Sequence, residues 1–142
     1  MNYRRIVLAA IAGFLAYFLC GTLLFTLPGM KTEYSRYPAV YRSAAGIQSL
    51  IPVALASTFL AILVLAVLYA KGYEGGPGAA EGARFGVLIG IFAVCSFVFH
   101  NYVNLNIGLK LTLVQAICYF FEWIVVGIVI GLIYKPAAAL PR

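Results

Sequence analysis

Apolar residues gather along this chain in four long blocks, each ended by proline, glycine or charge. A bilayer core about 30 Å thick is crossed by about 20 apolar residues in a helix. The first block to reach that length runs from about Ile6 to Leu27 and stops at Pro28-Gly29. The second runs from about Leu50 to Tyr69, with Pro52 in its first turn, where a missing N–H does no harm. The third covers about Ala83 to Tyr102, and the fourth about Leu111 to Tyr134, closed by Lys135-Pro136. The pattern predicts an all-α, polytopic membrane protein: a single four-helix transmembrane domain over residues 1–142, with short loops.

Composition agrees. Hydrophobic residues make up 64% of the 142 and charged ones only 10%, against about 45–50% and 25% in soluble domains. No single soluble core hides that much apolar surface. The net charge of +6 would raise the question of nucleic acid in a soluble protein. Here the basic residues flank the apolar blocks, so the expected partner is the lipid bilayer and its anionic headgroups, not nucleic acid.

The first block has Arg4 and Arg5 ahead of it, as a signal peptide would. It is too long for an ordinary signal core, and Tyr17-Phe18-Leu19 before Cys20 makes a poor lipoprotein cleavage site. We read it as a retained span. Lys and Arg then set the orientation. Arg4, Arg5, Lys71, Arg84, Lys135 and Arg142 fall on one side, and Lys31, Arg36, Arg42 and Lys110 on the other. Six against four predicts both termini in the cytoplasm. Tyr3, Tyr69, Tyr73, Tyr102 and Tyr134 lie near span ends, where aromatic rings prefer the headgroup layer. The Gly-rich stretch from Gly72 to Gly78 reads as a flexible turn, and Asn101 to Lys110 as a tight polar turn on the other side.

Small residues let membrane helices approach closely. Gly82, Gly86 and Gly90 recur every four residues in the third span, and Gly127 and Gly131 do so in the fourth. Close contact between these helices is expected, or pairing with another subunit. Ala9, Gly13 and Gly21 offer a similar face on the first span.

Charged groups at membrane depth are costly unless paired or hydrated. Glu122 is the one acid well inside a span, about 12 residues from its inner end and so about 18 Å deep. It shares a helix face with Gln115, Cys118 and Tyr119. By the same count Tyr17, Ser57, Thr58, Cys95 and Ser96 reach a similar depth. The functional reading is a proton or cation site, or a polar ligand pocket. The structural alternative is a protonated Glu122 hydrogen-bonded to Tyr17 or Ser57.

Two further groups stand out. His100, Asn101 and Asn104, with Asn106, form an outer polar cluster near the level of Gln115. It either caps the helix end or, with one His from each of two copies, holds a haem. One histidine with no carboxylate nearby is a poor metal site, so no metal and no cofactor are expected. The first loop reads Lys31-Thr-Glu-Tyr-Ser-Arg36-Tyr-Pro-Ala-Val-Tyr41-Arg42. Tyr34, Tyr37 and Tyr41 share one face if helical, and Arg36 and Arg42 accompany them. This describes an interfacial segment on the outer leaflet, or one that caps the bundle or docks a partner. The three cysteines, Cys20, Cys95 and Cys118, lie inside apolar blocks and form no C-x-x-C pair, which argues against thiol–disulfide chemistry.

The stretch Gly108-Leu-Lys-Leu-Thr-Leu-Val-Gln115, followed by an aromatic-rich span with Gly127 and Gly131, resembles the last hairpin of an uncharacterised bacterial family. Its members are small four-helix membrane proteins classed as a domain of unknown function. The resemblance covers about the second half of the chain. It implies a bacterial inner (plasma) membrane and the same topology, and no activity. Glu122 and the first loop have no counterpart in it. Small multidrug transporters also have four spans, but their working acid lies in the first helix, which here has none. Three readings follow. The first is a non-catalytic accessory subunit or self-associating bundle, assembled as a homo-oligomer or with other membrane subunits. The second is a small transporter or ligand-binding protein using Glu122. The third is a membrane enzyme or haem carrier using His100.

Overall fold

The structure is a computed structural model that describes residues 1–134, excluding the side chain of Pro28. The expected stop at Lys135-Pro136, and Arg142, lie outside the described residues. Helix α1 spans Tyr3–Thr26, capped by the Asn2 side chain, which accepts from Arg5 N at 3.2 Å. Two short helices follow, α2 (Pro28–Ser35) and α3 (Ala44–Gln48). Helix α4 (Ile51–Gly72) is the second span. The third is continuous from α5 (Gly78–Ala93) through a π-helical stretch, Val94–Phe99, into α6 (His100–Asn104). Helix α7 (Leu109–Ile133) completes a four-helix bundle in which all four long helices are apolar enough to cross a membrane.

The spans fall within a few residues of the sequence expectation. The largest difference is the third, which begins at Gly78 rather than near Ala83. Pro77 precedes it, and Glu81 in its first turn accepts from the backbone N–H groups of Glu74 (2.6 Å) and Gly76 (2.9 Å). The Gly-rich turn is therefore stapled by a carboxylate and not left loose. Gly75 supplies the left-handed residue it needs, with φ of 91°.

Helices α1 and α7 form the central pair; α4 packs on α1, and α5 on α7. Glycines decide how closely α5 and α7 approach. A Cβ added at Gly86 would lie 2.6 Å from the Trp123 carbonyl oxygen, and one at Gly90 would lie 2.9 Å from the Phe120 ring. Gly78 and Gly82 face the backbones of Gly131 and Gly127 in the same way. No side chain fits there, and the backbones gain dispersion contact in its place. On α1, Gly13 admits Ile62 and Ile130, whose side chains would lie 3.1 and 3.2 Å from an added Cβ.

One core cluster joins Ile6, Ala9 and Ala10 of α1 to Ile62 and Ala66 of α4 and Val126 and Ile130 of α7. We call this the terminal end, since it holds the start of α1. Tyr69 (2% exposed) and Tyr134 are buried there against Tyr73 and Phe85, with ring centroids 5.4 to 6.1 Å apart. The sequence expectation placed these two tyrosines in the headgroup layer. At these span ends they pack among α4, α5 and α7.

A smaller cluster, Met30, Ile107 and Leu111, closes the opposite or loop end. Leu15, Leu19 and Leu23 of α1 and Val53, Leu60, Val64 and Leu68 of α4 stay exposed on the outside of the bundle. These are the side chains a bilayer covers.

Candidate functional site

The residues with most chemistry lie along one face of α7, from its loop-end start towards its centre. At the loop end, α2 and the turn after it fold over α7. Glu33 is only 3% exposed. Its carboxylate accepts from Lys110 Nζ at 2.6 Å and lies 3.3 Å from Arg36 Nη1. The Lys110 hydrogen bond holds the Glu33 carboxyl below the usual carboxylate range; burial opposes this, and the charges of Arg36 and Lys110 reinforce it. The backbone N–H of Gly108 donates to Tyr37 Oη at 3.0 Å. The first loop thus caps the bundle, one of the arrangements expected for it, with Tyr37 and Arg36 both used in the cap. The helical stretch ends ahead of Pro38: α2 stops at Ser35, and turns anchored on the Tyr37 carbonyl carry the chain to Tyr41.

One turn further along α7, Gln115 is buried and its side-chain amide donates to Tyr34 Oη at 2.7 Å and Tyr41 Oη at 3.2 Å. Burial pushes the Tyr34 hydroxyl above its ordinary range, the Gln115 bond pulling the other way. Tyr119 and Glu122 follow Gln115 on the same face of α7, four and seven residues on.

Glu122 itself is 3% exposed. It faces α1, where Gly21 gives it room: a Cβ there would lie 2.7 Å from Glu122 Oε1. Tyr17, Cys20, Cys118 and Tyr119 are near enough to feel its charge. Tyr17 also packs on Trp123, ring centroids 5.4 Å apart. Among the described residues, no hydrogen bond and no cation reaches the Glu122 carboxyl.

The other residues expected in this layer are elsewhere. Ser57 is exposed and its hydroxyl donates to the Ala54 carbonyl of its own helix at 3.1 Å, so it does not serve Glu122. Thr58, half-buried, sits beside it on α4. Ser96, in the π-helical stretch, donates to the Phe92 carbonyl at 2.5 Å, and Cys95 is exposed. His100, Asn101 and Asn104 are exposed as well. Asn104 donates to the His100 carbonyl at 2.9 Å, closing its own helix end. Gln115 turns to the tyrosines of the first loop and not to this cluster.

Sequence reasoning missed Glu33 and its tie to Lys110. The available signal was that Glu33 is the lone acid of a basic loop and Lys110 the lone base of the facing turn. It also read Gly21 as helix packing, whereas Gly21 makes the space for the carboxyl. No known protein family, curated protein or solved structure matches the chain.

Proposed function

We propose that this is a small transporter or ligand-binding protein of a bacterial inner membrane, non-catalytic, whose working group is Glu122 and whose ligand there is a proton or small cation. The carrying observation is a carboxyl buried at mid-span, seated on Gly21, with no hydrogen bond or cation among the described residues. A carboxyl kept for structure would be expected to bond its neighbours, whereas the Glu122 oxygens keep a little accessible surface and no protein partner among the described residues. Ser57, one of the two alternative partners, bonds its own helix. An ionisable residue inside a membrane span is costly, and such residues mark ion and proton pathways. The polar face from Gln115 through Tyr119 supplies the route from the loop end, which the Lys and Arg distribution assigns to the outside, with both termini cytoplasmic.

The test uses the protein in vesicles with a trapped pH dye, and wild type beside Glu122→Gln. Gln keeps the shape but cannot ionise. We expect the variant to fold and insert normally yet lose proton or cation flux and the carboxyl band in the infrared. Flux equal to wild type in a correctly folded Glu122→Gln would end this reading.

A second reading, an accessory subunit or self-associating bundle, is favoured by α4. Its first half is exposed nearly all round, Ile51, Val53 and Leu55 included. Mass measured in mild detergent at several protein concentrations decides it: a monomer throughout, with no co-purifying subunit, removes this reading.

A further inference from the structure

Between the end of α1, α2 and α3 lies a cleft of about 890 Å³, within the range of small-molecule sites. Its walls divide by chemistry. Phe25, Pro38, Val40 and Ile47 give it an apolar side. Lys31 and Arg42 give it two positive charges. Among the described residues neither cation has an acidic partner: the one nearby acid, Glu33, is taken by Lys110 and Arg36.

Ser43, on the cleft wall, accepts from the Gly46 N–H at 3.2 Å and keeps a hydrogen to give. Tyr34 and Tyr41 also line the cleft, with their hydroxyls bonded to Gln115. The polar side of the cleft thus offers donors and positive charge, the complement of a phosphate. The apolar side begins at Phe25, on the last turn of a membrane-spanning helix, where an acyl chain would continue into the bilayer.

We propose that this cleft binds a phosphate-bearing anion, its charge held by Lys31 and Arg42 and any attached apolar chain running along Phe25. The site is separate from Glu122. Membrane phospholipid and soluble phosphate share the chemistry and are told apart by experiment.

The full chain is placed in phosphatidylcholine nanodiscs, then in nanodiscs with added phosphatidylglycerol, and separately given inorganic phosphate. Thermal midpoint and lipids retained in native mass spectrometry are the readouts. We expect wild type to retain one phosphatidylglycerol in preference to phosphatidylcholine by about tenfold or more, the worth of one hydrogen bond between charged groups in the cleft. Lys31→Gln with Arg42→Gln should abolish the preference. Ser43→Trp, which fills the cleft but keeps both charges, should abolish it too. Arg4→Gln with Arg5→Gln removes the same charge from the other end and should change nothing. A response to inorganic phosphate that phosphatidylglycerol does not exceed identifies the soluble source. Equal retention of both lipids with no response to phosphate overturns the proposal. So does an equal loss in the Arg4 and Arg5 variant, which would mean general surface charge.

Discussion

Gly21 of α1 is the floor on which the Glu122 carboxyl rests, with an added Cβ only 2.7 Å from Oε1. Gly21→Ala should therefore displace the carboxyl, at a cost of up to about 1 kcal/mol, since Oε1 is the free end of a flexible side chain. In a Glu122→Ala background the same change should cost almost nothing, because the atom it strikes is gone. A double-mutant cycle in detergent measures that coupling. Additive effects would show that the two residues do not touch.

The glycine seam between α5 and α7 makes a second prediction. Gly86→Leu drives a side chain into the Trp123 carbonyl and the Ile124 backbone, and should destabilise the bundle by on the order of 3 kcal/mol. Gly72→Leu is the control, since nothing lies within 4 Å of a Cβ there. Gly75 and Gly76 would be poor controls: the first has φ of 91°, and an added Cβ at the second lies 3.0 Å from Glu81. Equal melting of the Gly86 and Gly72 variants would remove the seam argument.

Acid should loosen the loop cap. Glu33 is held below the usual carboxylate range by the Lys110 hydrogen bond. Its contribution is therefore complete above the ordinary glutamate value of about 4.3 and is lost as pH falls through the lower folded value. Hydrogen exchange of residues 30–41, corrected for intrinsic rates, should rise on going from about pH 6 to pH 3. Glu33→Gln should exchange fast at both and show no such step. A wild-type profile that stays flat would contradict the pairing.

Gln115→Leu should strand both the Tyr34 and Tyr41 hydroxyls, which now accept from it at 2.7 and 3.2 Å. A loss on the order of 1–3 kcal/mol is expected by denaturant titration. Tyr41→Phe should cost less, because Gln115 keeps its shorter bond to Tyr34. The reverse order would point to Tyr41 as the principal partner.

Reporter fusions at Gly76 and at Arg142 should both register the cytoplasm, following the Lys and Arg asymmetry. A periplasmic signal at either would invert the bundle and move the Glu33 cap to the inner face.

The four spans were legible because length and hydropathy decide them one helix at a time. The seam was legible too, since Gly82, Gly86 and Gly90 can share a face only at helical spacing. What lies around Glu122 was not. Depth counting brought Ser57 and Ser96 to its level, but depth leaves rotation about each helix axis undetermined. Both serines turned to bond their own helices, and the π-helical stretch resets the phase of everything after Ala93. The cap was hidden for a different reason. Glu33–Lys110 and Tyr34–Gln115 join positions 77 and 81 residues apart, and no local pattern encodes such a pairing.

The tie between Glu33 and Lys110 has a consequence for how the chain is made. Glu33 leaves the ribosome 77 residues ahead of its partner, with two further spans still to be synthesised. Its charge must be carried by water, or by neighbouring Arg36 alone, until the third span has crossed and delivered Lys110 to the same side. The ion pair can therefore close only over a chain whose second and third spans have both threaded, and it can do so while the fourth is still emerging.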